Sequence, residues 1–290
     1  MKLSIVVLNY NTKELTKKCL LSLSKVLGEV DFEVVVVDNA SSDGSVEFFK
    51  KLEIRGLRFK LIENKSNLGF AGGNNSAKKF CKGEYVLFLN SDTEVYKNTL
   101  KETVKYLDQH KEVGAVTCKI VLPDGSLDRD ARRSFPTPWV ALTHFVGLDR
   151  IFPKSKIFAR YWYGYKDPEE IQEVDALQGA YFMVRKEILD EVGWFSEDYF
   201  LDGEDIDLCW RIKGKGLRIM YYPKVSILHI KKASKRGKRS ARTVMAGVNS
   251  MEIFYKKHLW EKYPLFLNLV VLVAIYLMKA LRFIKVVLHI

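Results

Sequence analysis

Five apolar, β-branched runs punctuate the first 120 residues, at 3–8, 32–37, 58–62, 85–89 and 113–121. Between them lie stretches with helical periodicity near 12–27, 43–52, 71–82 and 97–110. Most of the runs are apolar without alternation, the pattern of strands buried on both faces. Strand–helix alternation of this kind implies an α/β protein with a parallel, doubly wound sheet. Regular patterning thins from about 123 to 174, where Pro136, Pro138, Pro153 and Pro168 accompany the aromatic run Tyr161, Trp162, Tyr163, Tyr165. It returns with a strand at 180–185, a helix near 205–215 and strand-like pieces at 217–221 and 225–230.

Open α/β sheets bind ligands beyond the carboxyl ends of their strands. Polar clusters fall on four such ends here: Asn9 and Asn11, Asp38 and Asn39, Asn64 and Asn67, Asn90 and Asp92. Neither G-x-x-x-x-G-K-[ST] nor a G-x-G-x-x-G after the first strand is present, which disfavours a Walker ATPase or a nicotinamide dehydrogenase. A phosphate ligand would then need another source of positive charge, most simply a divalent metal held by carboxylates. Asp92 reads either as such a ligand or as the cap of a helix starting near Tyr96. In DNASSDGS (38–45), Ser42 or Asp43 can cap the following helix, whereas Asp38 sits too early and should point out of the strand top toward a base or ribose. In NLGFAGGNN (67–75), Gly69, Gly72 and Gly73 permit close backbone approach, either to a ligand or to a packed neighbour.

The densest acidic cluster is Asp198, Asp202, Glu204, Asp205 and Asp207, set between Tyr199-Phe200 and Trp210. Apolar surroundings raise a carboxylate's pKa and make it a better proton acceptor near neutral pH. A helix N-terminus favouring acids accounts for Asp205 and Asp207 but not for the whole cluster. His229 ends a strand and is followed by Lys231, Lys232, Lys235, Arg236, Lys238, Arg239 and Arg242. That cationic loop is expected to lie near a diphosphate and close over it.

These pieces resemble the family 2 glycosyltransferases of GT-A fold, and within them the bacterial rhamnosyltransferase-like group. The likeness runs through IVVLNYN (5–11), VVVDNASSDGS (35–45), NLGFAGGNN (67–75), FLNSDTEV (88–95), the long segment 178–216 and His229. It implies a mixed, mostly parallel sheet with helices on both faces, and transfer of a sugar from a nucleotide-sugar to a hydroxyl acceptor with inversion. By resemblance, Asp38 contacts the nucleobase, and the backbone near Leu8, Asn9 and Asn11 cradles it. Asn67, Gly69, Asn74, Asn90, Ser91 and Asp92 line the rest of the donor site. The family's D-x-D reads Asn90-Ser91-Asp92 here, leaving Asp92 as the acidic ligand for Mg²⁺ or Mn²⁺, joined by His229. Asp205 matches the presumed catalytic base and Glu204 its neighbour. Acceptor contacts are expected from Arg132, Arg133, Trp162, Gly179 and Asp202. The favoured donor is dTDP-rhamnose. A polyprenyl-phosphate sugar synthase of the same fold is the alternative enzyme, and a non-catalytic basic membrane-binding protein the alternative class.

The net charge of +12 is unevenly placed. Residues 231–290 hold 13 Lys and Arg against Glu252 and Glu261, while residues 1–230 hold 34 bases and 33 acids. The basic character therefore belongs to the tail, and nucleic acid is not expected as a partner. Four scattered cysteines without a C-x-x-C pair fit a reducing compartment, and no secretory signal is read at the N-terminus. The division expected is a catalytic domain at 1–230, with a nucleotide-sugar half at 1–122 and an acceptor half at 123–230. A basic loop and linking helix follow at 231–263, then an amphipathic tail at 264–290. The apolar stretch 265–278 is short for a spanning helix, and Asn268, Lys279, Arg282 and Lys285 share one side of a helical wheel. These features suggest a peripheral enzyme on the anionic cytoplasmic face of the cell membrane, acting on a lipid-linked or polysaccharide acceptor.

Overall fold

Strands apolar on both faces need helices on each side of their sheet, and the chain supplies them in alternation. The first half runs β1 (Leu3–Asn9), α1 (Lys13–Ser24), β2 (Phe32–Asp38), α2 (Ser45–Lys51), β3 (Phe59–Glu63), α3 (Gly69–Asn75), β4 (Tyr85–Asn90), β5 (Thr93–Val95), α4 (Thr99–Gln109) and β6 (Val113–Val121). The middle holds β7 (Arg132–Arg133), α5 (Pro138–Phe145), α6 (Leu148–Ile151), β8 (Gln172–Glu173) and β9 (Ala176–Leu177). The rest is β10 (Tyr181–Arg185), α7 (Lys186–Val192), α8 (Glu204–Gly214), β11 (Arg218–His229), α9 (Ala241–Phe254) and α10 (Leu265–Val287). This computed structural model describes residues 1–231 and 241–287, with side chains as far as residue 284.

The main sheet has the order β3-β2-β1-β4-β10-β6-β11-β5, with β8 paired to β11. Pairs β2–β3, β1–β2, β1–β4 and β6–β11 are parallel. Pairs β4–β10, β6–β10, β5–β11 and β8–β11 are antiparallel, so the sheet is mixed. Inserting the reversed β10 leaves the carboxyl ends of β1, β2, β4, β6 and β11 along one edge. The two strand-like pieces near 217–230 form one strand. Its register against β6 shifts between Tyr222 and Ser226, around Pro223, which has no N–H to give the ladder.

Among the elements that escape the periodicity reading are α5, α7 and β5. Helix α5 starts with Pro138 at its first turn, where proline's missing N–H costs nothing. Helix α7 follows β10 without a loop, and β5 is only three residues long. The cap of α2 is Gly44 in the left-handed conformation, while Asp43 accepts from the Ser45 N–H at 3.1 Å.

Beyond the sheet, the tail is built into the domain. Phe254 of α9 packs on Phe135 and Trp210. A turn of π-helix at Tyr255–Leu259 and a short 3₁₀ segment lead into α10. Helix α10 folds back antiparallel on α9, with Lys279 bonded to Glu252 and Arg282 donating to the Val244 carbonyl at 3.0 Å.

Candidate active site

The first three strand ends weave one polar floor. Asn9 donates to Asp38 Oδ2 at 2.7 Å and accepts from the hydroxyls of Thr12 and Thr16. Asp38 Oδ1 accepts from the Ser41 N–H at 2.9 Å, and Ser42 N–H donates to Asn11 at 2.7 Å. Asn39 donates to Asn67 and to the Gly69 carbonyl, both at 2.9 Å. Thr12 and Ser91 hydroxyls meet at 3.0 Å, tying this floor to the end of β4, where Asn90 is half-buried.

Several expectations change here. Asp38 has no exposed surface, and both its oxygens are used to shape the β1 and β2 loops. Gly69 has φ +77°, and a Cβ there would lie 2.2 Å from the Phe200 carbonyl oxygen. That glycine serves a protein–protein approach within the chain, fixed by the Phe70 N–H donating to the same carbonyl at 2.8 Å. Gly179 makes room for the Phe70 ring, and Asn74 is buried, donating to the Phe70 carbonyl. Leu8 packs against Gly73.

Asp92 and His229 meet because β5 and β11 pair antiparallel, setting Thr93 opposite His229. His229 Nε2 is 3.3 Å from Asp92, and its Nδ1 is 2.9 Å from Asp128. Lys231 bridges Asp128 at 2.7 Å and Asp130 at 3.0 Å. Burial works against charge on the imidazole, but the bonds to Asp128 and Asp92 outweigh it and raise its pKa to about 9. Asp128 is held below the usual carboxylate range: burial is overcome by His229 and Lys231. Sequence reasoning missed Asp128 and Asp130. They lie in an irregular segment after β6, and only an acid within reach of the expected histidine could have signalled them.

Among the described residues no three His, Cys, Asp or Glu side chains form a metal-binding group. The pair Asp92 and His229 nevertheless fits a magnesium or manganese ion that draws its remaining ligands from substrate phosphates and water. Asp128 on Nδ1 leaves Nε2 facing Asp92, the arrangement by which a carboxylate orients a ligating histidine.

The acidic cluster splits in two. Glu204 and Asp205 begin α8 after two residues with positive φ, Asp202 and Gly203. Both acids, with Asp202, line a cavity of about 340 Å³. Asp207 points elsewhere: it binds Arg211 at 2.7 Å and His258 at 2.7 Å. Asp198 is exposed beside Lys257. In the cavity Asp205 Oδ2 accepts from Arg133 at 2.6 Å, and Oδ1 from the Ile206 N–H. Burial disfavours the Arg133 charge, yet Asp205 beside it raises its pKa. Glu204 is pushed well above the carboxylate range by burial and then by the Asp205 charge, and its buried Oε2 has no partner.

The acceptor expectations also divide. Arg133 reaches the cavity, whereas Arg132 goes to the opposite face of β7 and binds Gln172 at 2.9 Å over the Tyr221 ring. Trp162 donates to Asp130 at 3.2 Å. Asp130 lines the cavity and holds Lys231, so the cavity adjoins the His229 network. Of the basic loop, only Lys231 and Arg242 are described, the latter over the Phe200 ring; Lys232, Lys235, Arg236, Lys238 and Arg239 lie outside the described residues. A larger open groove of about 850 Å³ beside β3 is lined by Asn64 but by none of the other strand-end polar residues or expected catalytic residues.

The profile of the family described as Glycosyl transferase family 2 matches residues 4–193. The low-salt glycan biosynthesis hexosyltransferase of Haloferax volcanii is 25% identical over 231 residues, covering 78% of this chain and 66% of that protein. The N-acetylglucosaminyl-diphospho-decaprenol L-rhamnosyltransferase of Mycobacterium tuberculosis is 27% identical over 263 residues, covering 87% and 83%. The O-antigen biosynthesis protein RfbC of Myxococcus xanthus is 28% identical, and there the chain spans only 18% of the relative's length. Among solved structures, Staphylococcus aureus TarS 1–349 in complex with UDP-GlcNAc superposes with TM-score 0.59 at 22% identity, over 87% of this chain and 65% of that one. A mannosyltransferase from Pyrobaculum calidifontis in complex with GDP-Man and Mn²⁺ gives 0.56 at 22%, over 88% and 64%. At such identities these structures establish the shared fold.

Proposed function

The chain belongs to glycosyl transferase family 2, and from that premise we propose that it moves a sugar from a nucleotide-diphosphate sugar to an acceptor hydroxyl with inversion at the anomeric carbon. The observation that carries the reading is the Glu204–Asp205 pair, opening on a cavity that adjoins the His229–Asp128–Lys231 network. The acceptor oxygen attacks the anomeric carbon from the face opposite the diphosphate. Asp205 takes the hydroxyl proton as the new C–O bond forms, and the bond to the diphosphate breaks with its electron pair. Arg133 keeps the Asp205 carboxylate oriented before the acceptor arrives. Burial and then the Asp205 charge push the Glu204 pKa up, which favours its neutral form beside that carboxylate. Asp92 and His229 would hold Mg²⁺ or Mn²⁺ with the donor's diphosphate, which supplies positive charge where the leaving group gains negative charge.

The sugar proposed is rhamnose from dTDP-rhamnose, and the acceptor a lipid-linked or polysaccharide glycan of the cell surface. The 27% identity to a lipid-linked-substrate rhamnosyltransferase supports both. Helix α10 supports a peripheral membrane location at the cytoplasmic face. Its Leu265–Ile284 segment is long and apolar enough to cross a bilayer, so the shortness expected from the sequence does not exclude spanning. Packing supplies the argument instead. Asn268 and Ile275 are buried and Lys279 and Arg282 bond α9, while Phe266, Leu269, Val273 and Leu277 face outward. A helix that gives its polar side to its own domain and its apolar side outward suits the membrane interface.

The test is to incubate the purified full chain with Mn²⁺ and a panel of nucleotide-sugars and to measure nucleoside diphosphate release. Release from dTDP-rhamnose above the other donors is expected. Release from none of them overturns the enzyme reading, and preference for another sugar overturns the rhamnose assignment.

A further inference from the structure

The segment 138–160 is the part of the chain that the transferase reading uses least. Helix α5 and the chain beyond it present Leu142, Phe145, Val146, Ile151 and Ile157, each more than half exposed. Burying apolar surface is the dominant favourable term in association, and contiguous exposed patches mark interaction sites. Trp139 and Phe152, each nearly half exposed, extend this apolar surface and are tied together through Phe158. Trp139 stacks near Phe158, which packs on Phe152, and the Trp139 indole donates to the Ile157 carbonyl at 3.2 Å. An indole with an apolar body and a satisfied N–H suits a membrane–water boundary.

Four cations, Arg150, Lys154, Lys156 and Arg160, are exposed along the same segment. Among the described residues none of them is ion-paired. The one acid there, Asp149, is taken by His144 at 2.7 Å. The segment also borders the cavity that holds Glu204 and Asp205: Ala141 and Phe145 of α5 line it together with Met251 of α9 and Arg282 of α10. Helix α5 thus gives apolar residues to this cavity, and α10 reaches it through Arg282 on the side that faces its own domain.

We propose that residues 138–160 form a second membrane contact, an apolar foot ringed by cations that docks on an anionic lipid bilayer alongside α10. Charge complementarity selects the bilayer as the occupant, since four unpaired cations around an apolar patch repel a second copy of themselves and attract anionic headgroups. Acceptor chains carried by the bilayer would then reach the cavity between the two contacts. The inference is tested by where a side chain sits and not by turnover, so its failure leaves the transferase reading intact.

The four native cysteines are all buried, so an introduced surface thiol can be labelled selectively. Ile151→Cys in the full chain, carrying an environment-sensitive fluorophore, is mixed with vesicles of phosphatidylcholine and phosphatidylglycerol in a roughly 2:1 ratio. The label should shift to the blue and be quenched by lipid-borne spin labels, while a label at Glu53→Cys stays in water. Reversing charge with Lys154→Glu and Lys156→Glu should lower partition onto those vesicles at least about tenfold and change little on neutral ones. A label at 151 that stays in water with vesicles present overturns the proposal, whether or not α10 inserts. So does one whose shift depends on protein concentration and not on lipid, which would make the patch a contact between copies of the chain.

Discussion

Glu204 and Asp205 are neighbours in sequence under opposite electrostatic conditions, one with a buried oxygen left unpaired and the other bound to a guanidinium. Asp205→Asn preserves shape and removes basicity, so turnover should fall by roughly 10²–10⁴-fold while donor affinity holds; steady-state nucleotide release with and without acceptor checks it. Near-normal turnover would transfer the role to Glu204. Arg133→Met leaves Asp205 buried without its partner, and denaturant unfolding should show a loss of about 3–5 kcal/mol. At the other end of the site, the buried Asp128 holds the ring of His229 through Nδ1. Asp128→Asn should raise the Mn²⁺ concentration needed for half-maximal donor hydrolysis by roughly 10–100-fold, and chelator should abolish transfer by the unaltered chain. An unchanged Mn²⁺ requirement would show that Asp128 does not act through the metal ligand. Asp92 could be chosen from the sequence because it stands at the end of an apolar run, and Asp205 because it lies in an acidic cluster between aromatics and matches the family's acidic pair. Asp128 could not, because what distinguishes it is a contact made across the fold.

Helix α8 shows how an element sorts residues that look alike in sequence. Its first turn carries Glu204, Asp205 and Asp207, yet only the first two line the cavity. Asp207 is wholly buried on another side, bound by Arg211, His258 and Tyr199. It ties α8 to the π-turn that precedes α10. Burial raises its pKa, but His258 and Arg211 overcome that and lower it to about 2 from 3.8. A depressed carboxyl stabilises the fold above its unfolded pKa, and that contribution disappears as pH falls through the folded value. Stability on the order of 2 kcal/mol should therefore vanish between about pH 4 and pH 2. In urea unfolding across that range, Asp207→Asn should start lower and lose less. The central strands were legible because burial on both faces leaves an apolar run with no other reading. The placement of β10 between β4 and β6 was not, since an antiparallel insertion leaves the same run as a parallel one. Helix α5 hid among prolines. The glycines at 69 and 179 were visible as close approaches, but what they approach is Phe200 and Phe70.

Taken whole, the molecule carries its charge asymmetry in residues 231–290, of which the described helices α9 and α10 pack into the folded body. Asn268 is buried, accepting from the Tyr255 hydroxyl at 2.7 Å and donating to the Trp260 and Tyr263 carbonyls. A chain cut after Tyr263 should thus melt earlier than the full chain, as well as losing membrane affinity. Whether α10 lies in the interface or crosses the bilayer can be decided by depth. Leu269, Val273, Leu277 and Leu281 form one exposed row, each four residues from the next. In a helix lying flat, labels on cysteines at these four positions all sit at shallow depth. In a spanning helix the rise of 1.5 Å per residue spreads them over about 18 Å along the membrane normal. Quenching by spin labels placed at different depths on the acyl chains should therefore give four shallow positions with no steady gradient from 269 to 281, because the row winds only about 40° per step. Salt should release part of the protein from anionic vesicles, because each cation near the surface contributes on the order of 1 kcal/mol that ions screen. Detergent should release the rest, because burial of the apolar row is indifferent to salt. A graded depth from 269 to 281 would mean that α10 leaves α9 and crosses the bilayer. It would then surrender the Lys279–Glu252 and Asn268 contacts that hold the tail on the domain.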